Sequence, residues 1–216
     1  MAAQDESTKQ VPPVVEQKIQ VILLDVMDTL VRDPFFSHMP HFHGQSMESL
    51  AREMDRDAWF AFEKGELTQA EYQERYFRDG RKVDLDGVIQ CMKTGYVFLD
   101  GIEALLEELS CVEIKVYALS NYPIWWKFIE ERLQLSRFLE WRFMSCRLGK
   151  RKPDPALFQA VLDALDVSAA HCLFVDDSKV NCESARTQGM NAVQFRGAAH
   201  LKEIFRTHNV LPGPAG

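Results

Sequence analysis

A chain of 216 residues, 46% of them hydrophobic, has enough apolar material for one compact domain with an insertion, or for two small domains. Its formal net charge of -7 and the lack of a long basic run argue against nucleic acid and anionic membranes as partners, while leaving room for a local positive pocket. No apolar run approaches the roughly 20 residues needed to span a bilayer.

Residues 1–18 combine Pro12-Pro13 with mixed charges and lack the apolar segment of a secretory signal. The segment also lacks Arg and carries Asp5, Glu6 and Glu16, which argues against an intact organellar transit peptide. A disordered leader is expected there, and an earlier transit peptide already removed stays open. The five cysteines (Cys91, Cys111, Cys146, Cys172 and Cys182) form no CxxC and no zinc-like spacing with His, so reduced thiols in a reducing, non-secretory compartment such as the cytoplasm are expected.

The run IQVILLD at 19–25 is too short for a typical helix and rich in branched residues, which predicts a buried parallel strand. From 33 to 98 no strand pattern occurs. Helices are predicted over 46–64, 68–79 and 84–94, with Met47, Leu50, Met54, Trp59, Tyr72, Tyr76, Phe77, Leu85, Ile89 and Met92 facing inward. After Gly101, Ile102, Leu105, Leu106 and Leu109 repeat at helical spacing. Strand-like runs then return at 114–119, 142–145, 172–175 and 191–195. Between them, helices are expected to open at Pro123 and Pro155 and to run from Asn181 to Gln188, with Gly189 as the last one's stop. Alternating strands and helices predict an α/β fold with a mostly parallel sheet covered on both faces. The expected organisation is a core of 19–32 and 99–210 and a helical cap of 33–98, inserted after the first strand.

Open parallel sheets bind ligands beyond the carboxyl ends of their strands. The first strand ends in Asp25-Val26-Met27-Asp28-Thr29, the second in Ser120-Asn121 and the fourth in Asp176-Asp177, with Asn181 a turn later. The third is followed by Lys152-Pro153-Asp154-Pro155. Acids, a hydroxyl and a cation therefore converge from four separate points of the chain.

In this order, over residues 19–195, the four motifs resemble the haloacid dehalogenase superfamily of phosphatases and related hydrolases. The resemblance implies a three-layer Rossmann-like sandwich with a cap. In the first motif, Asp-x-Asp-x-Thr, Met27 replaces the second Asp. The stretches DVMDTLVRDPFF, FEKGEL, SNYPIWW and GKRKPDP look like the plant plastid flavin mononucleotide (FMN) hydrolases of that superfamily. This closer likeness implies a phosphomonoester substrate, FMN among them, and a plastid stroma as the alternative location.

The chemistry implied is a magnesium-dependent phosphatase with Asp25 as nucleophile. A cation held by Asp25, Asp177 and the Met27 backbone carbonyl would cancel the repulsion between carboxylate and phosphate. Ser120 and the Asn121 N–H would hold phosphoryl oxygens. Lys152 would neutralise charge and keep Asp25 ionised, and Asp176 and Asn181 would bind the metal through water or orient its ligands.

Plainer roles stand beside these. Asp28 and Thr29 are expected to cap the turn, and Asp154 the Pro155 helix. Asn121 is as readily a helix cap, and Asn181 a helix-start residue. His38, His41 and His43 are read as part of a cap loop rather than a metal cluster, and 63–66 (EKGE) as a solvated turn. Phe35, Phe36, Tyr122, Trp125 and Trp126 are candidates for a flat substrate, with packing the role of at least one Trp. Two other functions remain: a metal-free carbon–halogen hydrolase, which Met27 keeps open and the Asp176-Asp177 pair opposes, and an inactive binding protein, which the retained Asp25, Ser120, Lys152 and Asp177 oppose. The oligomeric state is not legible.

Overall fold

The computed structural model describes residues 18–213, so the expected leader lies outside the described residues except for Lys18. Five strands form one sheet: β1 (Val21–Leu24), β2 (Lys115–Ser120), β3 (Glu140–Met144), β4 (Cys172–Asp176) and β5 (Asn191–Gln194). Their order is β3-β2-β1-β4-β5, and every neighbouring pair is parallel. The fold is α/β, as expected.

Alternation along the strands explains the continuous apolar runs. Ile22 and Leu24 join one core with Val116, Ala118, Leu173 and Val175; Val21 and Leu23 join the other with Tyr117, Leu119 and Phe174. Both faces are covered, so every position must be apolar. Each strand is close to its expected place, with β3 starting two residues early because the run holds the half-polar pattern EWRFM.

Five helices stand between β1 and the next core helix: α1 (Phe35–His43), α2 (Met47–Glu53), α3 (Arg56–Glu63), α4 (Gln69–Glu74) and α5 (Leu85–Gly95). Three expectations are corrected here. The His38–His43 stretch is a helix rather than a loop: Met39 is fully buried, α1 packs on α5, and Gly44 in the left-handed region ends the helix. The expected helix 46–64 breaks at Met54, because Asp55 caps α3 by accepting from the Asp57 and Ala58 N–H groups at 3.0 and 3.1 Å. The expected 68–79 helix ends at Glu74.

The core helices are α6 (Ile102–Ser110), α7 (Trp126–Leu133), α8 (Ser145–Leu148), α9 (Pro155–Leu165), α10 (Lys179–Thr187) and α11 (Ala198–Thr207). Asp154 caps α9 with Pro155 at its first position, as expected. Helix α7 starts three residues after Pro123, and α10 starts two residues before Asn181, capped by Ser178.

The helices between β1 and α6 meet the rest of the fold at a tight seam. Ser145 Oγ donates to the Glu63 carbonyl at 2.5 Å and accepts from the Tyr122 N–H at 2.9 Å. Gly65 has φ +72°, and a Cβ there would lie 2.4 Å from the Cys146 carbonyl oxygen, so only glycine permits this approach.

Candidate active site

Strand β1 delivers Asp25 to the sheet's carboxyl edge, where its N–H continues the ladder to the Val175 carbonyl at 2.9 Å. The chain then turns sharply. Leu30 and Val31 both donate to the Val26 carbonyl at 2.9 Å, and Asp28 takes the left-handed conformation at φ 55°. That turn sends successive side chains in different directions. Asp28 is exposed, and its Oδ1 accepts the Asp33 N–H at 3.0 Å, which agrees with its expected capping role.

Thr29 is not merely a cap. Fully buried, its Oγ1 donates to Asp25 Oδ2 and accepts the Asp177 N–H, both at 3.1 Å. One hydroxyl thus ties the end of β1 to the end of β4.

Lys152 is 2% exposed, and its ammonium is fully engaged. It donates to Asp25 Oδ1 at 2.6 Å, to Asp176 Oδ2 at 2.5 Å and to the Leu119 carbonyl at 2.8 Å. Its backbone is gripped by Asn121, whose Oδ1 accepts the Lys152 N–H at 2.7 Å and whose Nδ2 donates to the Lys152 carbonyl at 2.9 Å. The Asn121 side chain therefore positions Lys152 and caps no helix. Asp176, fully buried, accepts from Lys152, from the Ser178 N–H at 2.8 Å and from Asn181 Nδ2 at 2.9 and 3.1 Å.

An oxygen from each of Asp25, Asp176 and Asp177 lies within 4.8 Å of the others, the one such His/Cys/Asp/Glu group among the described residues. The electrostatics show the excess of negative charge. Burial pushes Asp25 up to about 7; Lys152 opposes this, and the charges of Asp176 and Asp177 add to it. Burial and Asp176 likewise raise Asp177. For Lys152, burial favours loss of the proton, but Asp176 and Asp25 outweigh it and hold the ammonium charged. Three carboxylates facing one ammonium form a hard-oxygen donor set that a magnesium ion fits. Beside them Ser120 Oγ is buried with no hydrogen-bond partner among the described residues. Pairing of Leu24 with Ala118 places Ser120 just past the level of Asp25, so this hydroxyl is available to an anion seated on Asp25.

A cavity of about 530 Å³ lies between this edge and the helices that follow β1. Met27, Asn121 and Tyr122 line it from the sheet side, and the segment between β1 and α6 contributes mainly Asp33, Phe35, Phe36, Met47, Met54, Trp59, Phe60 and Glu63. Phe35, Phe36 and Tyr122 were expected near substrate and do line the cavity. Trp125 and Trp126 do not. Trp125 is buried against Trp59, Phe62 and Tyr72, with its indole N–H on Gln69 at 2.9 Å. Trp126 packs on Trp141 at 5.2 Å, beneath the Arg147 guanidinium.

Three acids line this cavity without being among the expected site residues: Glu63, Asp33 and Asp55, the last of which caps α3. Glu63, expected in a solvated turn, is 6% exposed; its Oε1 accepts from the Trp59 indole at 2.9 Å and its Oε2 from Arg151 at 3.0 Å. Burial pushes Glu63 up to about 7 against the pull of Arg151. The Trp59–Glu63 spacing of four residues was the available signal, since it places both on one helix face. Asp33, half-buried, had no signal beyond following the first motif. The histidines do not converge: His38 Nδ1 lies 2.8 Å from Ser37 Oγ and His43 Nε2 lies 3.0 Å from the Tyr76 hydroxyl.

The chain is similar to known proteins of one family. Residues 19–189 match the model of the haloacid dehalogenase-like hydrolases. The chain is 41% identical over 186 residues to the chloroplastic flavin mononucleotide hydrolase 1 of Arabidopsis thaliana, covering 86% of this chain and 76% of that protein. It is 30% identical over 152 residues to a sesquiterpene phosphatase of Aspergillus oryzae, covering 67% of this chain and 76% of that one. Among solved structures, a haloacid dehalogenase-family enzyme of Bacteroides thetaiotaomicron, in complex with magnesium and inorganic phosphate, superposes with a TM-score of 0.68 at 22% identity. That match covers 85% of this chain and 98% of the other.

Proposed function

The chain belongs to the haloacid dehalogenase-like hydrolase family, and from that premise we propose that it is a magnesium-dependent phosphatase that converts FMN to riboflavin through an aspartyl-phosphate on Asp25. The observation that carries the reading is the setting of Asp25. One of its oxygens is held by Lys152 and the other by Thr29, the Asp177 carboxylate converges on it, and the Ser120 hydroxyl, without a partner among the described residues, lies nearby.

Asp25, Asp177 and the Met27 carbonyl would hold Mg²⁺, whose chemistry there is to neutralise the phosphate and act as a Lewis acid. The chain's own groups do the rest. Lys152 keeps Asp25 ionised when substrate arrives and fixes the carboxylate's rotation. Ser120 Oγ and the Asn121 N–H receive phosphoryl oxygens, so the phosphorus faces Asp25. Asp25 attacks phosphorus, and the ester oxygen departs towards the cavity; water then attacks the aspartyl-phosphate and regenerates Asp25. Asp176 and Asn181 hold Lys152 and the loop of Asp177 in register.

The cavity supports the choice of a ring-bearing substrate. Phe35, Phe36, Trp59 and Phe60 offer flat apolar surface next to the phosphate end, which suits an isoalloxazine better than a sugar. The chloroplastic relative supports a plastid location for this reading. Carbon–halogen hydrolysis is disfavoured: it needs no cation, and the convergent Asp177 would only repel a carboxylate substrate.

Phosphate release from FMN, sugar phosphates and p-nitrophenyl phosphate, measured with magnesium and with chelator, tests this reading. FMN should give the highest kcat/KM, and chelator should abolish release. Release unaffected by chelator would reject the metal-dependent reading, and a preference for sugar phosphates would reject FMN.

A further inference from the structure

The alcohol part of an alkyl phosphate such as FMN would leave as an alkoxide, a poor leaving group unless it is protonated as the P–O bond breaks. Met27, which lines the cavity, has a thioether that carries no proton at neutral pH. The proton must come from elsewhere.

Three carboxyl groups line the cavity: Asp33, Asp55 and Glu63. Asp55 is occupied as the cap of α3 and by Arg75, and these bonds outweigh its burial and hold it below the usual range. Glu63 has one oxygen on Trp59 and the other on Arg151. Asp33 differs. Its Oδ1 accepts the Phe35 N–H at 2.9 Å, and Oδ2 takes no hydrogen bond from the described residues. The backbone around it is pinned: the Asp33 N–H donates to Asp28 Oδ1 at 3.0 Å and the Arg32 N–H to the Val97 carbonyl at 2.9 Å. This fixed carboxyl lines the same cavity as Met27 and Asn121, which flank the phosphate end.

We propose that Asp33 is the acid that protonates the departing ester oxygen, in place of the group missing at Met27; this rests on the phosphatase reading above. As Asp25 bonds to phosphorus, the P–O ester bond breaks. Its electron pair passes to the leaving oxygen, which takes the proton from Asp33 Oδ2. The Asp33 carboxylate then accepts a proton from the water that attacks phosphorus, the P–O bond to Asp25 breaks, and inorganic phosphate leaves. Both carboxyl groups return to their starting states. The surroundings of Asp33 suit proton transfer near neutral pH. Burial pushes it up to about 6, the Phe35 N–H pulls against this, and the charges of Asp28 and Asp177 push further. Tyr96 and Tyr122, whose hydroxyls pair at 2.9 Å, also face this group and stay neutral across that range.

Asp33→Asn keeps the acceptor for Phe35 and removes the acid. It should lower kcat/KM for FMN by about 10²-fold or more, yet lower it for p-nitrophenyl phosphate, whose leaving group needs no proton, by only about threefold. Turnover of the aryl ester by the variant also reports an intact site. Equal losses on both substrates, or no loss on either, would overturn the proposal. A wild-type protein inactive on both would instead remove the phosphatase reading beneath it. Should Asp33→Asn not fold, the wild type still decides: across a series of aryl and alkyl phosphates kcat/KM should change little with leaving-group pKa, and a steep dependence would overturn the assignment.

Discussion

The ammonium of Lys152 lies 2.6 Å from Asp25 Oδ1, although 127 residues separate the two in sequence. This pair sets the state of the site. Burial favours the protonated carboxyl, which is no nucleophile, and the Lys152 ammonium opposes that protonation. Asp25→Asn should therefore abolish measurable phosphate release while leaving the circular dichroism spectrum unchanged. Activity near wild type in the purified variant would sink the covalent mechanism.

Asp177 is exposed, unlike Asp176, and its carboxylate is raised by burial of one side and by its neighbour. It contributes charge without holding the fold. Asp177→Asn should raise the magnesium concentration for half-maximal activity roughly tenfold or more, with an unchanged melting temperature. A metal titration that overlays the wild type would show that Asp177 is not a ligand.

Asp28 and Met27 bracket the turn after β1. The Asp28 carboxylate points to the Asp33 N–H rather than to Asp25. Asp28→Ala should thus loosen Asp33 and lower kcat about tenfold, far less than Asp25→Asn. Met27→Asp, if folded, should preserve or raise phosphatase activity. A loss in Asp28→Ala as deep as that in Asp25→Asn would reverse this ranking.

Phe36 lines the cavity and is 63% exposed, so truncating it removes ring contact without opening the core. Phe36→Ala should raise KM for FMN several-fold, leave KM for a small phosphomonoester unchanged, and shift the melting temperature by less than about 1 °C. An equal rise in both KM values would place the ring elsewhere.

Glu63 supplies a pH prediction. Its folded pKa, pushed up to about 7 by burial, exceeds the ordinary 4.5. Between those values the unfolded chain releases its proton while the folded chain keeps it. Stability therefore falls as pH rises through that window, and the loss is complete above about 7. Relative to Glu63→Gln, the wild type should lose melting temperature from pH 4.5 to 7 and then level off. A difference that is flat or rises with pH would contradict the assigned shift.

Local chemistry made part of this molecule legible in the sequence. The apolar run ending in Asp25 needs only its own composition to become a buried strand, and Asp154-Pro155 needs only its own donors and fixed φ to start a helix. The strand-end rule then brings Asp25, Ser120, Lys152 and Asp176-Asp177 to one edge. The tertiary structure alone decided how those groups are engaged. That Thr29 bridges Asp25 to the Asp177 backbone, that the Asn121 side chain grips Lys152, and that Glu63 is buried against Arg151 all depend on contacts between distant segments. Residues 35–43 became helix because burying Met39 against α5 favours helical packing despite Pro40, and Trp59 rather than Trp125 reached the cavity because Trp125 filled the aromatic seam beneath it. Propensity and spacing act over a few residues, whereas burial and hydrogen-bond partners are set by which segments the closed fold presses together.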